Sequence, residues 1–513
     1  MKNFIKVFVL PFMLLNQAAG QDLVELKKEN ANTLVLKYMF NAGSMMDPAG
    51  KEGLTQLTAS LMIGGGTETY SISEINNLLY PMAGQYAQSV DKEVTVFSFV
   101  VHADFTHEFY DIIRGMIFQP AFDEKDFKRI RSNQLNYVEQ IIKASSDEDY
   151  SKMALEDLLY RGTRYQHMVA GTLSGIQNIT IEDIREHYRT FFTRDNLLLG
   201  VAGKFGVDFK TRVVNEAGQL PALSVSLPEP PEVDMPDGFQ VEIIRKDNTL
   251  GSALFTGFPI GVTRADDEFA ALMIANSWLG EHRKSYGQLY EKIRDIRSMN
   301  YGNYSYIEWY QNGGSNQLPP PHVPRQSNYF SIWIRPVQIA EQLKMQYPEL
   351  EDIRVGHAHF ALRMAVRELD MLIRHGITEE EFKLTRQFLR SYIKLYIQTP
   401  SRELGFLMDS RFYGRNDYIS ELDQLLADLT AEDVNAAVRK YLQVENMFVS
   451  IITDNSEAQA LAEHLKSNTP SPMSYSNLIM EGLPEEVIQE DKTVANYPLN
   501  IKSVKIIESG ETF

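Results

Sequence analysis

Apolar positions recur along this chain with two periods. Over 360–373, Phe360, Leu362, Ala365, Val366, Leu369, Leu372 and Ile373 fall at helical spacing and form one broad stripe. That spacing predicts an amphipathic helix ending before Gly376. Thr378, with Glu381 three positions on, marks the start of the next helix. Near the other end, GLTQLTASLMI (53–63) puts Leu54, Leu57 and Leu61 on one stripe, with Gln56 and Ser60 at i and i+4 on a neighbouring face and Ala59 beside them. The glycines at 64–66 supply the stop. Alternation of period two marks a strand at NYFSIWIR (328–335) and another at 497–506, where Pro498 is tolerated only at a sheet edge. Strands arrive singly or in hairpins, which favours α+β layers over a doubly wound sheet.

The pattern also repeats. ITIEDIREHYRTFFTRDNLLLGVAG begins at Ile179 and LTAEDVNAAVRKYLQVENMFVSIIT at Leu429, each with a capping-box-like start (Thr180 with Asp183, Thr430 with Asp433), a helix, a polar turn and an apolar strand. Between them SLPEPPEVDMPDG (226–238) has four prolines, acidic residues and no apolar period, the signature of an extended linker. The chain therefore divides into a first domain over 21–225, the linker 226–238, a homologous second domain over 239–468 and a C-terminal arm over 469–513. The arm is expected to be ordered and to pack on a partner or on the first domain.

The first twenty residues, MKNFIKVFVLPFMLLNQAAG, place two lysines around a short apolar run before Ala18-Ala19-Gly20, the layout of a cleavable secretory signal. The run is far shorter than the roughly 20 apolar residues a membrane span needs. With no cysteine in 513 residues, neither disulfides nor a lipid-modified cysteine contribute. The expected location is the periplasm or the exterior, without a membrane span. The formal charge is −18 and no Lys/Arg-rich run offsets it, which excludes nucleic acid as a partner. Acidic charge alone points toward basic peptides.

Candidate chemistry is scarce. Among ten histidines, His357 and His359 form the one close pair, but on a helix two residues apart they diverge by roughly 200° and cannot chelate one ion. They are expected at the surface or an interface. No H-x-x-x-H, C-x-x-C, G-x-S-x-G or phosphate loop occurs.

The frame Phe40–Ser44, Asp47–Lys51, Gly53-Leu54 and Gly66-Thr67 resembles the insulinase/pitrilysin family of zinc metallopeptidases, whose inverted motif is H-x-x-E-H. Here Gln56 and Ser60 stand in the histidine places and Ala59 in the glutamate place. Gln and Ser are neutral, weak ligands and Ala is none, so this chain is expected to hold no metal. The third-ligand region lies near Asn136 to Glu139, ambiguous in register. The resemblance implies two homologous α+β domains, each a mainly antiparallel sheet layered with helices, of the processing-peptidase-like (LuxS-like) plan.

In the second domain Ser285–Tyr301 is similar to the family's segment carrying an Arg and a Tyr, which match Arg294 and Tyr301. Ser298 replaces a usual Gly there, and Asn300 a usual small residue. The resemblance implies that Arg294 holds a substrate carbonyl and Tyr301 donates to the oxyanion. It also implies a role as the metal-less subunit of a heterodimeric peptidase, with peptides as substrates and zinc on a homologous H-x-x-E-H partner. The alternative is a scaffold or peptide-holding protein of the same fold without a part in catalysis.

Overall fold

The computed structural model describes residues 22–223, 225–308 and 318–513. The signal-peptide expectation for residues 1–20 lies outside them. The first sheet comprises β1 (Asp22–Lys27), β2 (Thr33–Phe40), β3 (Gln85–Val90), β4 (Thr95–His102) and β5 (Leu197–Gly203), in the order β1-β5-β2-β4-β3. The second comprises β6 (Phe239–Lys246), β7 (Ser252–Ile260), β8 (Asn303–Tyr306), β9 (Asn328–Val337), β10 (Met447–Asp454) and β11 (Ile501–Glu508), in the order β11-β6-β10-β7-β9-β8. Apart from β11 the two orders are the same, strand for strand. In each, β11 aside, the first strand runs parallel to the last (β1 with β5, β6 with β10) and the remaining pairs are antiparallel. The repeated block is visible in place: Thr180 and Thr430 cap helices Ile181–Phe191 and Ala431–Tyr441 with complete capping boxes, and those helices feed β5 and β10. The α+β reading of the sequence holds.

Both faces of each sheet are apolar, and both are covered. Leu34, Leu36, Tyr38 and Phe40 of β2 meet the helices of their own half, including Leu54–Gly64. Val35 and Met39, on the opposite face, meet Leu404 and Met408 of helix Pro400–Phe412, which comes from the second half. The exchange is reciprocal, because helix Asp147–Leu159 of the first half lies against β7 and β10. Tyr150 and Met153 of that helix share a core with Phe255, Trp333 and Ile452. Each half thus lends the other a helix, and the core runs through both.

A buried ionic knot reinforces this junction. Arg325, 1% exposed, donates from Nε and Nη2 to the two oxygens of Asp91 at 2.6 and 2.7 Å and from Nη1 to Glu156 at 2.5 Å. Lys92 stands 3.6 Å from Glu156. The C-terminal arm does not form its strand on the first half. β11 pairs in parallel with β6 at the edge of the second sheet, and only the last residues reach back, where Tyr150 donates to Ser509 O at 3.0 Å. Buried Val494, Leu499 and Val504 give this arm its apolar anchor. Among the described residues no helix is long and apolar enough to cross a membrane.

Candidate functional site

Helix Leu54–Gly64 carries the motif positions. The residues that frame it persist for reasons of folding. Gly43 lies so close to Lys92 that a Cβ would sit 2.3 Å from that carbonyl. Gly53 adopts φ +101°, a left-handed value, and a Cβ there would meet Ala170 O at 2.7 Å. Asp47 caps the helix, accepting from the N–H groups of Gly53 and Thr55 at 2.7 Å each. Burial pushes the Asp47 carboxyl up, and its hydrogen bonds from Thr55 and Gly53 oppose that. His187 meets the Thr55 hydroxyl at 3.0 Å, and burial holds its imidazole down to about 3, so the ring is neutral.

On the exposed side of the motif the ligand positions have become a hydrogen-bonded amide and hydroxyl. Gln56 Nε2 donates to Ser60 Oγ at 3.0 Å, and Gln88 Nε2 of β3 donates to the same oxygen at 3.2 Å. Ala59 is fully buried. The cavity in front of them, about 630 Å3, is also lined by Asn133 and Tyr137, at the end of helix Glu124–Asn136 and the start of the π-helical stretch Tyr137–Ser145. Neither Asn136 nor Glu139 lines it. The side chains facing the motif from the third-ligand region are therefore a carboxamide and a phenol. Asp91 is the one carboxylate lining this cavity, and both of its oxygens are taken by Arg325; no imidazole or thiolate lines it, and among the described residues no group of three or more His, Cys, Asp or Glu could hold a metal ion. The residues present do not fit zinc.

Arg294 and Tyr301 are brought together elsewhere. Both line an open cavity of about 660 Å3 with Asn300 and Arg335, which shares no lining residue with the Gln56 cavity. Tyr301 is 80% exposed. Arg294, on the π-helical turn Tyr290–Asp295, donates to the Tyr290 hydroxyl and lies 4.7 Å over its ring, with Asp295 at 3.3 Å. Ser298, the residue in the usual Gly place, holds φ +52°, which explains why glycine suits that position.

The histidine expectation is corrected. His357 and His359 are 3% and 1% exposed, with His357 Nε2 meeting Ser474 O of the C-terminal arm at 3.1 Å. Burial holds the two rings down to about 4 and about 3. The arm, expected on a partner or on the first domain, lays its helix Glu485–Ala495 against the helix Ala358–His375 that carries His359.

Two sheets of one topology, with a zinc-helix frame whose ligand positions hold Gln56 and Ser60, define a metallopeptidase-like chain without a metal site among the described residues. Residues 23–173 match the model of insulinase (peptidase family M16) and residues 178–333 that of the peptidase M16 inactive domain, together more than half of the chain. The chain belongs to the M16 insulinase family, with Gln56, Ala59 and Ser60 at the zinc-motif positions. It is 25% identical over 253 residues to the Bacillus subtilis protein described as an uncharacterized zinc protease, YmxG, covering 48% of this chain and 59% of that protein. To the non-peptidase homolog YmxG of Helicobacter pylori it is 21% identical over 299 residues, 57% of this chain and 66% of the relative. The chain thus spans about three-fifths to two-thirds of the length of these relatives. The crystal structure of a peptidase M16 inactive domain from Pseudomonas fluorescens shares the fold, with a TM-score of 0.71 at 18% identity, covering 85% of this chain and 96% of the other.

Proposed function

We propose that this chain is the metal-less subunit of a periplasmic zinc metallopeptidase heterodimer, in which a homologous H-x-x-E-H partner carries the metal. In this reading the chain supplies one wall of the chamber, holds extended peptides along a sheet edge by main-chain pairing, and presents Arg294 and Tyr301 to the substrate. The observation that carries it is the exposed Tyr301 phenol beside Arg294 in an open cavity, while the motif helix of the same chain has no metal ligands. A phenol donates to an oxyanion and a guanidinium to a peptide carbonyl, and both act only on charge that a second site generates. The signal-like N-terminal pattern supports the periplasmic assignment.

Co-expression with the zinc-bearing partner tests this. Tyr301→Phe is expected to lower turnover of a fluorogenic peptide about 10²- to 10³-fold with an unchanged heterodimer peak in size-exclusion chromatography. Arg294→Ala is expected to raise KM as well, since a held carbonyl helps ground and transition states alike. Full activity in both variants would assign the chain to the scaffold role instead.

A further inference from the structure

A second polar cavity, about 370 Å3, lies on the other face of the first sheet at the same edge strand, β3. Its floor is a row of residues in register across three strands: Lys37 of β2 opposite Ser98 of β4, and Ser98 opposite Ala87 of β3. Opposed residues point to one face, so these three share it. Lys37 is 1% exposed, and its Nζ meets Ser98 Oγ and His322 Nε2 at 2.9 Å each. Both partners are neutral, since burial and the adjacent Lys37 ammonium hold the His322 ring well below its usual range. Among the described residues no carboxylate lies within salt-bridge distance of Lys37. Asp409 acts on it only from farther off, with its oxygens taken by the His322 N–H at 3.1 Å and by Arg264 at 3.6 Å.

A buried ammonium without a paired anion is a costly arrangement unless something else supplies the charge. An ammonium carries three N–H donors, and two have protein acceptors here. Burial accordingly lowers the Lys37 amine to about 8. The row leads outward to Ala87, which is small and exposed, and among the described residues no strand covers the outer edge of β3.

We propose that the Lys37–Ser98–His322 cavity is an acid-selective subsite that receives a Glu or Asp side chain of an extended peptide paired on the β3 edge. The proposal rests on the reading of this chain as a holder of extended peptides. A residue paired opposite Ala87 continues the Lys37–Ser98–Ala87 row. At strand spacings of about 4.8 Å its Cα stands about 14 Å from that of Lys37, a gap that a lysine and a glutamate side chain span over two small residues. Residues on alternate positions of the same peptide face the Gln56 side, where Gln88, the neighbour of Ala87 on β3, donates to Ser60 at 3.2 Å. The subsite thus selects for an acidic residue against the trend set by the chain's overall negative charge.

Fluorescence anisotropy with the full chain and labelled eight-residue Thr/Val-alternating peptides, identical but for one central Glu, Gln or Lys, tests it. The Glu peptide is expected to bind about 10- to 100-fold more tightly than the Gln peptide, and the Lys peptide most weakly. Lys37→Met is expected to abolish the Glu preference while leaving the Gln peptide unchanged. Should that buried substitution fail to fold, Ala87→Leu, on an exposed position, blocks the row and is expected to remove the preference too. Equal binding of Glu and Gln peptides to the unaltered chain, or a preference that survives whichever of these variants folds, overturns the subsite but leaves peptide holding intact. Binding of none of the peptides overturns both.

Discussion

Replacing Arg325 by Met removes the guanidinium at the centre of the junction while keeping an apolar stem of similar length. Asp91 and Glu156, each 1% exposed, are then left with Lys92, 3.6 Å from Glu156, as the remaining cation of the knot among the described residues. One ammonium cannot neutralise two buried carboxylates. Breaking a buried pair from one side typically costs about 3–5 kcal/mol. A second route to the number agrees: the stranded carboxyl escapes by protonation, which for an ordinary aspartic acid of pKa about 3.9 costs about 4 kcal/mol at pH 7. The expected loss is therefore about 4 kcal/mol in urea unfolding followed by tryptophan fluorescence. Its sign with pH is also fixed. The variant's native state binds a proton that the unfolded state does not, so its deficit against the parent shrinks by about 1.4 kcal/mol per unit as pH falls from 7.5 to 6. Adding Asp91→Asn to the variant is expected to recover more than half of the loss. A deficit below about 1 kcal/mol, or one that does not change with pH, would refute the view that this knot is a desolvated charge balance.

Two further outcomes follow from the sites. Metal analysis of the purified chain is expected to find no stoichiometric zinc, and Gln56→His, Ala59→Glu and Ser60→His together are expected to bind it only weakly. Adding Asn133→Glu or Tyr137→Glu, which supplies a carboxylate to the same cavity, is expected to tighten binding at least about tenfold, and one tightly held zinc in the triple variant would contradict this. Stability is expected to fall below about pH 6.5, because His187, His357 and His359 are held down to about 3, 4 and 3 in the fold while the unfolded chain takes up their protons, about 1.4 kcal/mol per unit for each ring. In urea melts His359→Phe, whose ring nitrogens have no partner among the described residues, is expected to flatten that dependence, and an unchanged slope would exclude it.

What the sequence shows about this chain is mostly what local chemistry enforces. Thr180 with Asp183 and Thr430 with Asp433 are legible as helix starts because a capping box closes within four residues. The motif frame is legible because Gly43, Asp47 and Gly53 answer to backbone clashes and a cap, which any member of the fold must respect. Positions set by long-range packing were not readable. Ile130, Asn133, Gln134 and Tyr137 face the motif at helical spacing while Glu139, two residues further on, does not, and that rotation is set by how the helix packs. The pairing of Arg325 with Asp91 joins residues 234 apart, and nothing in either neighbourhood announces it. The same holds for Lys37, a polar residue in an apolar strand, which a period-two reading leaves as an exception without a reason.

The position of β6 in its sheet has a consequence for how the molecule is made. Both strands that flank it, β10 and β11, come from far later in the chain: Phe239 pairs with Met447 on one side and Ile501 on the other. During vectorial synthesis the segment FQVEIIRK therefore emerges with neither neighbour available, and its second edge closes only when Ile501–Glu508 has left the ribosome. At about 5–20 residues per second that interval lasts on the order of 10–50 seconds. An open strand edge held for so long is a template for intermolecular pairing, so nascent chains of this protein call for a holding chaperone until β11 has emerged, and a stop codon before Ile501 would leave that edge open permanently.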